Sequence, residues 1–211
     1  MSTDLHSWLD LWQRTGATSD GSVWHRRLLE AYSEPTRHYH TGQHLGECLA
    51  ALDNARTACH IPNADAIELA LWFHDAVYDP QAADNEKRSA DMAGEALQGA
   101  GLESRFIAEA RRLVMCTQTH KAAGHADAQW MVDVDLSILG SNPVRFLQYE
   151  AQIRAEYAWV PTAVYTEKRA EILTGFLARE RIFLTEFFHQ RYEHQAWENL
   201  AGLIATLRET R

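Results

Sequence analysis

The chain predicts an all-α fold of about eight to ten helices. Apolar residues recur at three- and four-residue spacing along most of its length, and helix-start and helix-stop residues punctuate that pattern. Alternating runs of β-branched residues are scarce. The 211 residues are 46% hydrophobic and 23% charged, enough for a sizeable core. No repeat, low-complexity stretch or linker interrupts them, so one domain over residues 1–211 is the economical expectation.

In order, Leu5, Trp8, Leu9 and Trp12 mark a first helix that ends near Gly16. Ser22 is a candidate cap for a second with Trp24, Leu28 and Leu29, stopped by Pro35. A third starts around Thr41 and carries Leu45, Cys48, Leu49 and Leu52. Asn63 is placed to cap a fourth, with Ile67, Ala70, Leu71, His74 and Tyr78 on one stripe. Asp84 or Asn85 caps a fifth, which stops at Gly99 to Gly101, and Ser104 caps a sixth, to about Thr119. His120 to Asp127 reads as a polar loop. Trp130 to Leu139 reads as a short helix, with a short strand as the alternative. Asn142 before Pro143 is a strong helix start, followed by Phe146, Tyr149, Ile153, Tyr157 and Val160. Pro161 begins another helix with Tyr165, Ile172, Phe176 and Leu177. A last helix or helix pair carries Phe183, Phe187, Trp197, Leu200, Leu203 and Leu207.

Composition excludes several functions. No apolar run approaches the ~18 residues of a membrane span. The start, MSTDLHSWLD, lacks a basic-then-apolar leader, and the three cysteines show no CxxC spacing, so a reducing cytoplasm is the expected compartment. A net charge of −9 argues against a broad grip on nucleic acid. The eleven histidines and seven tryptophans are the unusual counts, and histidine is both a metal ligand and a near-neutral acid or base.

Three places concentrate polar groups in apolar surroundings. In LALWFHDAVYD, His74 shares the apolar stripe and Asp75 adjoins it. An unpartnered buried polar group costs about 1–3 kcal/mol, and a buried carboxylate more. In RHYHTGQHLGECL, His44 borders the stripe of Cys48 and Ala51, with His40 four residues before it. In MVDVDLSILG, Asp133 and Asp135 interrupt an apolar segment. Each alone has an ordinary structural explanation: a core histidine bonded to a carbonyl, a solvated helix start, or a capping aspartate. Together, His44, His74, Asp75 and Asp135 supply two imidazoles and two carboxylates, a borderline-hard set that suits Mn, Fe, Mg, Ni, Co or Zn.

The order His … His-Asp … Asp on a helical chain resembles the HD-domain superfamily of metal-dependent phosphohydrolases. The strings YHTGQH, FHDAVYDP, DNEKRSA and DVDLSILG are similar to those of small bacterial predicted phosphohydrolases of that superfamily, with the site strings lying between residues 37 and 140. The resemblance implies a single HD-type helical domain in which His44, His74, Asp75 and Asp135 hold one or two divalent ions. It implies hydrolysis of a phosphomonoester or phosphodiester, nucleotides included. YHTGQH also resembles the YHNxxH string of cyclic nucleotide phosphodiesterases, whose first histidine is the general acid. That role maps to His40, although Thr41 departs from the string. The DLS string favours Asp135 over Asp133 as ligand. Glu86 resembles the glutamate that orients the attacking water in HD nucleotidases; first-turn placement near a helix cap is the alternative. His120 is a candidate for a phosphate or a second metal. Arg37, Lys87, Arg88, Lys121 and Arg154 are candidate phosphate-binding cations.

Two other functions stay open. One is an HD-fold di-iron oxygenase, which would draw extra ligands from His40, His120 and His125. The other is a non-catalytic regulatory module that keeps the metal for stability. The expected partner is a small phosphorylated substrate, with neither membrane nor nucleic acid, and the sequence does not fix an oligomeric state.

Overall fold

A computed structural model describes residues 3–122 and 124–209. Among these residues it is all-helical: α1 (Leu5–Arg14), α2 (Ser22–Ala31), α3 (Gly42–Ala58), α4 (Ala64–Phe73), α5 (Asn85–Gly99), α6 (Ser104–Cys116), α7 (Ala126–Asp135), α8 (Pro143–Glu156), α9 (Thr162–Leu177) and α10 (Glu186–Glu209). A 3-10 turn, Leu136–Gly140, follows α7 directly. The helices form two compact units, Met1–Asp135 and Leu136–Arg211.

The first unit is built around α4. This helix is buried on every side except at Asp65, as its largely apolar surface requires. It packs against α1, α3, α5, α6 and α7. Each of Leu69, Leu71, Trp72 and Phe73 is at most 1% exposed, a burial worth about 1.5–3 kcal/mol per side chain. The buried carboxylate on this helix, Glu68, receives Arg14 from α1 at 2.9 Å and Arg56 from α3 at 2.6 Å. The same two arginines hold Asp65, so four charges tie three helices together at little unsatisfied cost. A tryptophan cluster closes one end. Trp8 lies 5.0 Å from both Trp12 and Trp72, and its Nε1 donates to the Gly21 carbonyl at 2.7 Å.

In the second unit, Asn142 accepts from the Arg145 amide at 3.0 Å with Pro143 in the first turn, which starts α8 as its sequence predicts. Arg169 on α9 grips Glu150 on α8 with two hydrogen bonds and donates to the Tyr149 hydroxyl at 2.7 Å. The Asn199 amide on α10 donates to the carbonyls of Leu139 and Ser141, both at 2.9 Å. At Gly140 a Cβ would come within 2.6 Å of the Tyr192 backbone, so only glycine permits this approach.

Several sequence expectations need correction. The stripe from Ile67 to Tyr78 is not one helix: α4 ends at Phe73, with His74 as its C-cap. Asn63 and Asp84 occupy N-cap positions without making a cap bond. Asn63 donates instead to Asp127, and Asn85 bonds the Asp79 backbone. Ser22 and Ser104 are the first residues inside their helices rather than caps. Trp130–Leu139 is the end of α7 plus a 3-10 turn, not a strand. Phe183 lies ahead of the last helix, which is single.

Gly21 has an ordinary right-handed backbone, yet a Cβ there would meet Trp12 at 2.8 Å and Trp8 Nε1 at 3.0 Å. Gly21→Ala is expected to cost about 1–3 kcal/mol in urea denaturation through overpacking. Gly42→Ala, with nothing within 4 Å, is expected to change stability by less than about 0.5 kcal/mol. Equal effects at the two positions would show that the tryptophan cluster yields freely.

Candidate metal centre

Four segments of the first unit bring polar side chains to one buried point. Thr41 is extended and its hydroxyl accepts from the Gln43 amide at 3.3 Å, which starts α3. One turn later His44 projects from the buried stripe of that helix. His74 and Asp75 sit where α4 has just ended. Asp135 closes α7. His120, in the loop between α6 and α7, reaches the group from another side.

The distances are short enough for the donors to share an ion. His44 Nε2 lies 3.1 Å from His74 Nε2, 3.4 Å from Asp75 Oδ2 and 3.3 Å from Asp135 Oδ1. His74 Nε2 lies 2.9 Å from Asp75 Oδ2 and 3.6 Å from Asp135 Oδ1. Donors each ~2.1 Å from a common ion are separated by ~3.0 Å at octahedral angles and ~3.4 Å at tetrahedral ones. His74 Nδ1 lies 2.7 Å from the Leu71 carbonyl, so Nδ1 is the donor to backbone and Nε2 is the nitrogen turned toward the cluster. The residues present therefore fit a divalent cation.

Burial opposes charge on all four groups, and their mutual attraction overrides it. For Asp75, burial pushes the carboxyl upward, but His74, His40 and His44 hold it well below the usual carboxylate range. For Asp135 the same opposition is won by His120, His44 and His74. Burial pushes both imidazoles down; Cys48, Tyr39 and the two aspartates raise His44 well above its ordinary value, and Asp75, Tyr32 and Asp135 do so for His74.

Other candidate residues separate into groups. His120 Nε2 is 3.1 Å from Asp135 Oδ2, and its backbone is left-handed at φ +48°. That conformation costs a side-chain-bearing residue free energy and is held by its surroundings. His40 is half-buried, stacked on Tyr78 at 4.0 Å, with its ring 6.0 Å from that of His44. Glu86 lies half-buried in the first turn of α5, and among the described residues no hydrogen bond or ion pair links it to the cluster. Asp133 is fully buried and does not belong to the donor group, whereas Asp135 does. Lys87 pairs with Asp91, and Arg154 with carbonyls at Tyr157 and Val160. Arg88 and Lys121 are exposed.

Sequence reading treated two residues otherwise. Cys48 lies against His44, but its Sγ is almost equally far from both ring nitrogens, 3.7 and 3.8 Å. With His44, His74 and Asp135 it forms a group of donor atoms close enough together to hold a metal ion. Arg37, a candidate phosphate cation by sequence, is buried and bonded to backbone. No motif reports this, because its partners are carbonyls nearly forty residues away.

A second group, Glu109, His125 and Asp127, also converges. Arg112 already fills it, donating to Glu109 at 3.0 and 2.6 Å and to His125 Nδ1 at 2.8 Å, while Asn63 donates to Asp127 at 2.6 Å. This guanidinium pairs with Glu109 and ties His125 to α6; Ala123, in the loop between α6 and α7, lies outside the described residues. A surface depression of about 680 Å³ between Arg14, Arg56, His60 and Phe106 shares no residue with the cluster. No helix among the described residues is long and apolar enough to cross a membrane. No protein-family model matches the chain, and no curated protein or solved structure matches it either.

The shifts define a pH dependence for the metal-free protein. The depressed carboxyls add stability that is present above their unfolded value near ~3.9 and is lost as pH falls through their folded values. The raised imidazoles add stability that is present below ~6.5 and is lost as pH rises through their folded values. In chelator, the melting temperature should peak between about pH 4 and 6.5. Stabilisation by added Mn²⁺ should instead grow with pH, because only neutral imidazole ligates. A melting temperature in chelator that climbs steadily from about pH 6 to 9 would contradict the raised imidazoles.

Proposed function

We propose that the chain is a metal-dependent phosphohydrolase of the HD-domain kind, acting on a phosphomonoester or phosphodiester, with nucleotides in that class. The observation that carries this reading is the convergence of His44, His74, Asp75 and Asp135 at ion-sharing distances in a buried setting. These four would hold a divalent ion, with Mn, Fe, Co, Ni, Zn or Mg all compatible with nitrogen and oxygen donors. When bound, such an ion polarises a phosphoryl oxygen and lowers the pKa of water to near ~7.

The chain's own residues supply the rest. In its neutral form His74 donates Nδ1–H to the Leu71 carbonyl, which leaves Nε2 as the nitrogen that would ligate. His120 contacts Asp135 from the loop side and is placed to hold a phosphate oxygen or to orient that carboxylate. His40, half-buried on Tyr78 beside His44, is the candidate proton donor to a leaving oxygen. Glu86, with no partner that would neutralise it among the described residues, is the candidate for orienting the attacking water. The three cysteines are free, which suits a reducing cytoplasm. The net charge of −9 suits a small substrate better than a nucleic-acid polymer.

The test is elemental analysis of the purified protein followed by phosphate release from nucleotides and generic phosphate esters under several divalent ions. His74→Ala and Asp135→Ala should each remove most bound metal and any activity, while Asp133→Asn should keep the metal and lose little rate. Full metal occupancy in both alanine variants would move the site elsewhere, and the reverse pattern for the two aspartates would exchange their roles.

Glu86 separates two roles in one variant. As the residue that orients water, Glu86→Gln keeps metal content and melting temperature but loses roughly 10²-fold or more in turnover. A first-turn helix role instead costs about 0.3–1 kcal/mol of stability with near-normal turnover.

A further inference from the structure

We infer that Arg37 is the positioning residue of this centre, a buried clasp that fixes the two ligand-bearing segments against each other. The inference rests on the metal-site reading for its consequence, though not for its geometry. The Arg37 side chain is fully withdrawn from solvent. Its Nη1 donates to the Asp75 carbonyl at 2.5 Å and to the His40 carbonyl at 3.2 Å, and its Nη2 donates to the Ala76 carbonyl at 3.0 Å. Its Nε donates to Glu34 Oε2 at 2.9 Å. Tyr32 and Tyr78 flank the guanidinium at 5.4 and 5.6 Å.

Four of the five guanidinium hydrogens are thus directed, three of them at backbone. That leaves no face for a phosphate and removes Arg37 from the phosphate-binding candidates. What it joins is specific. One segment, residues 37–44, leads through His40 into His44; the other, residues 74–79, contains His74 and Asp75. Lysine cannot replace it, because one ammonium cannot reach three carbonyls set in a planar fork. Ligand-orienting groups one step from a metal commonly change its affinity about 10–100-fold.

The full-length protein tests this. In chelator, Arg37→Lys should raise amide hydrogen exchange in residues 37–44 and 74–79 together, while α1, α2 and α6 keep wild-type protection. With Mn²⁺ alone as ligand, the variant should bind about 10–100-fold more weakly than wild type, and its Co²⁺ form should show an altered d–d band. Millimolar guanidinium should restore part of that affinity to Arg37→Ala, a rescue that a general loss of stability would not give. Glu34→Gln should loosen the same two segments to a smaller degree, which keeps the test open if the arginine variants fold poorly. Loosening of one segment only, of every helix alike, or of none would overturn the clasp. Wild-type protein that binds no Mn²⁺ would sink the metal reading, while the exchange pattern would still decide the role of Arg37.

Discussion

Two buried imidazoles and two half-buried carboxylates meet at one point, and most of the first unit is arranged so that they can. His44 and His74 are 2% and 1% exposed. Such groups are expensive to bury singly, and none of them has an apolar substitute that would keep the chemistry. The surrounding helices supply the compensation. α3 and α7 deliver one side chain each from a helix end, and α4 stops at the depth where its last carbonyls can be used by side chains. A rigid, apolar α4 fixes that depth, so the precision of the cluster derives from the packing of Leu69, Leu71, Trp72 and Phe73 beneath it.

The end of α4 shows how main-chain groups are satisfied around the site. A helix end leaves carbonyls without intrahelical partners. Here the Leu71 carbonyl takes His74 Nδ1, the Trp72 carbonyl takes the Tyr32 hydroxyl at 3.3 Å, and the Phe73 carbonyl takes the Ala76 amide at 3.0 Å. Beyond the helix, the Asp75 and Ala76 carbonyls take Arg37. The Val77 amide and carbonyl both use the Ser89 hydroxyl of α5. His74 and Ala76 serve the helix end locally, while Tyr32, Arg37 and Ser89 reach the other carbonyls from elsewhere in the chain, so the His-Asp pair is held without helical backbone.

Much of this was legible in the sequence. The three-and-four spacing gave the helices, and Asn142-Pro143 gave the start of α8, because these signals are local and their partners lie within one turn. The donor residues His44, His74, Asp75 and Asp135 stood out as polar groups in apolar surroundings. Their convergence rests on packing among helices far apart in the chain, which periodicity does not encode. Periodicity also overran α4, since Tyr78 continues its stripe although the helix ends at Phe73, where the His74 ring, the Tyr32 hydroxyl and the Ala76 amide take its last carbonyls. The Asn63 cap failed for a similar reason. Asn63 found a carboxylate on α7, a partner 64 residues away, and no local rule weighs that alternative. Arg37 was the least legible residue, because its partners are backbone atoms that carry no sequence signature.

That clasp grips peptide carbonyls and ignores the side chain that each residue carries. A change of identity at position 75 or 40 would leave its hydrogen bonds in place. The scaffold therefore separates the holding of the backbone from the choice of donor atom, as an interchangeable tool sits in a fixed handle. Descendants of such a chain could trade carboxylate for imidazole at these positions, and with it one metal preference for another, without rebuilding the turn that presents them.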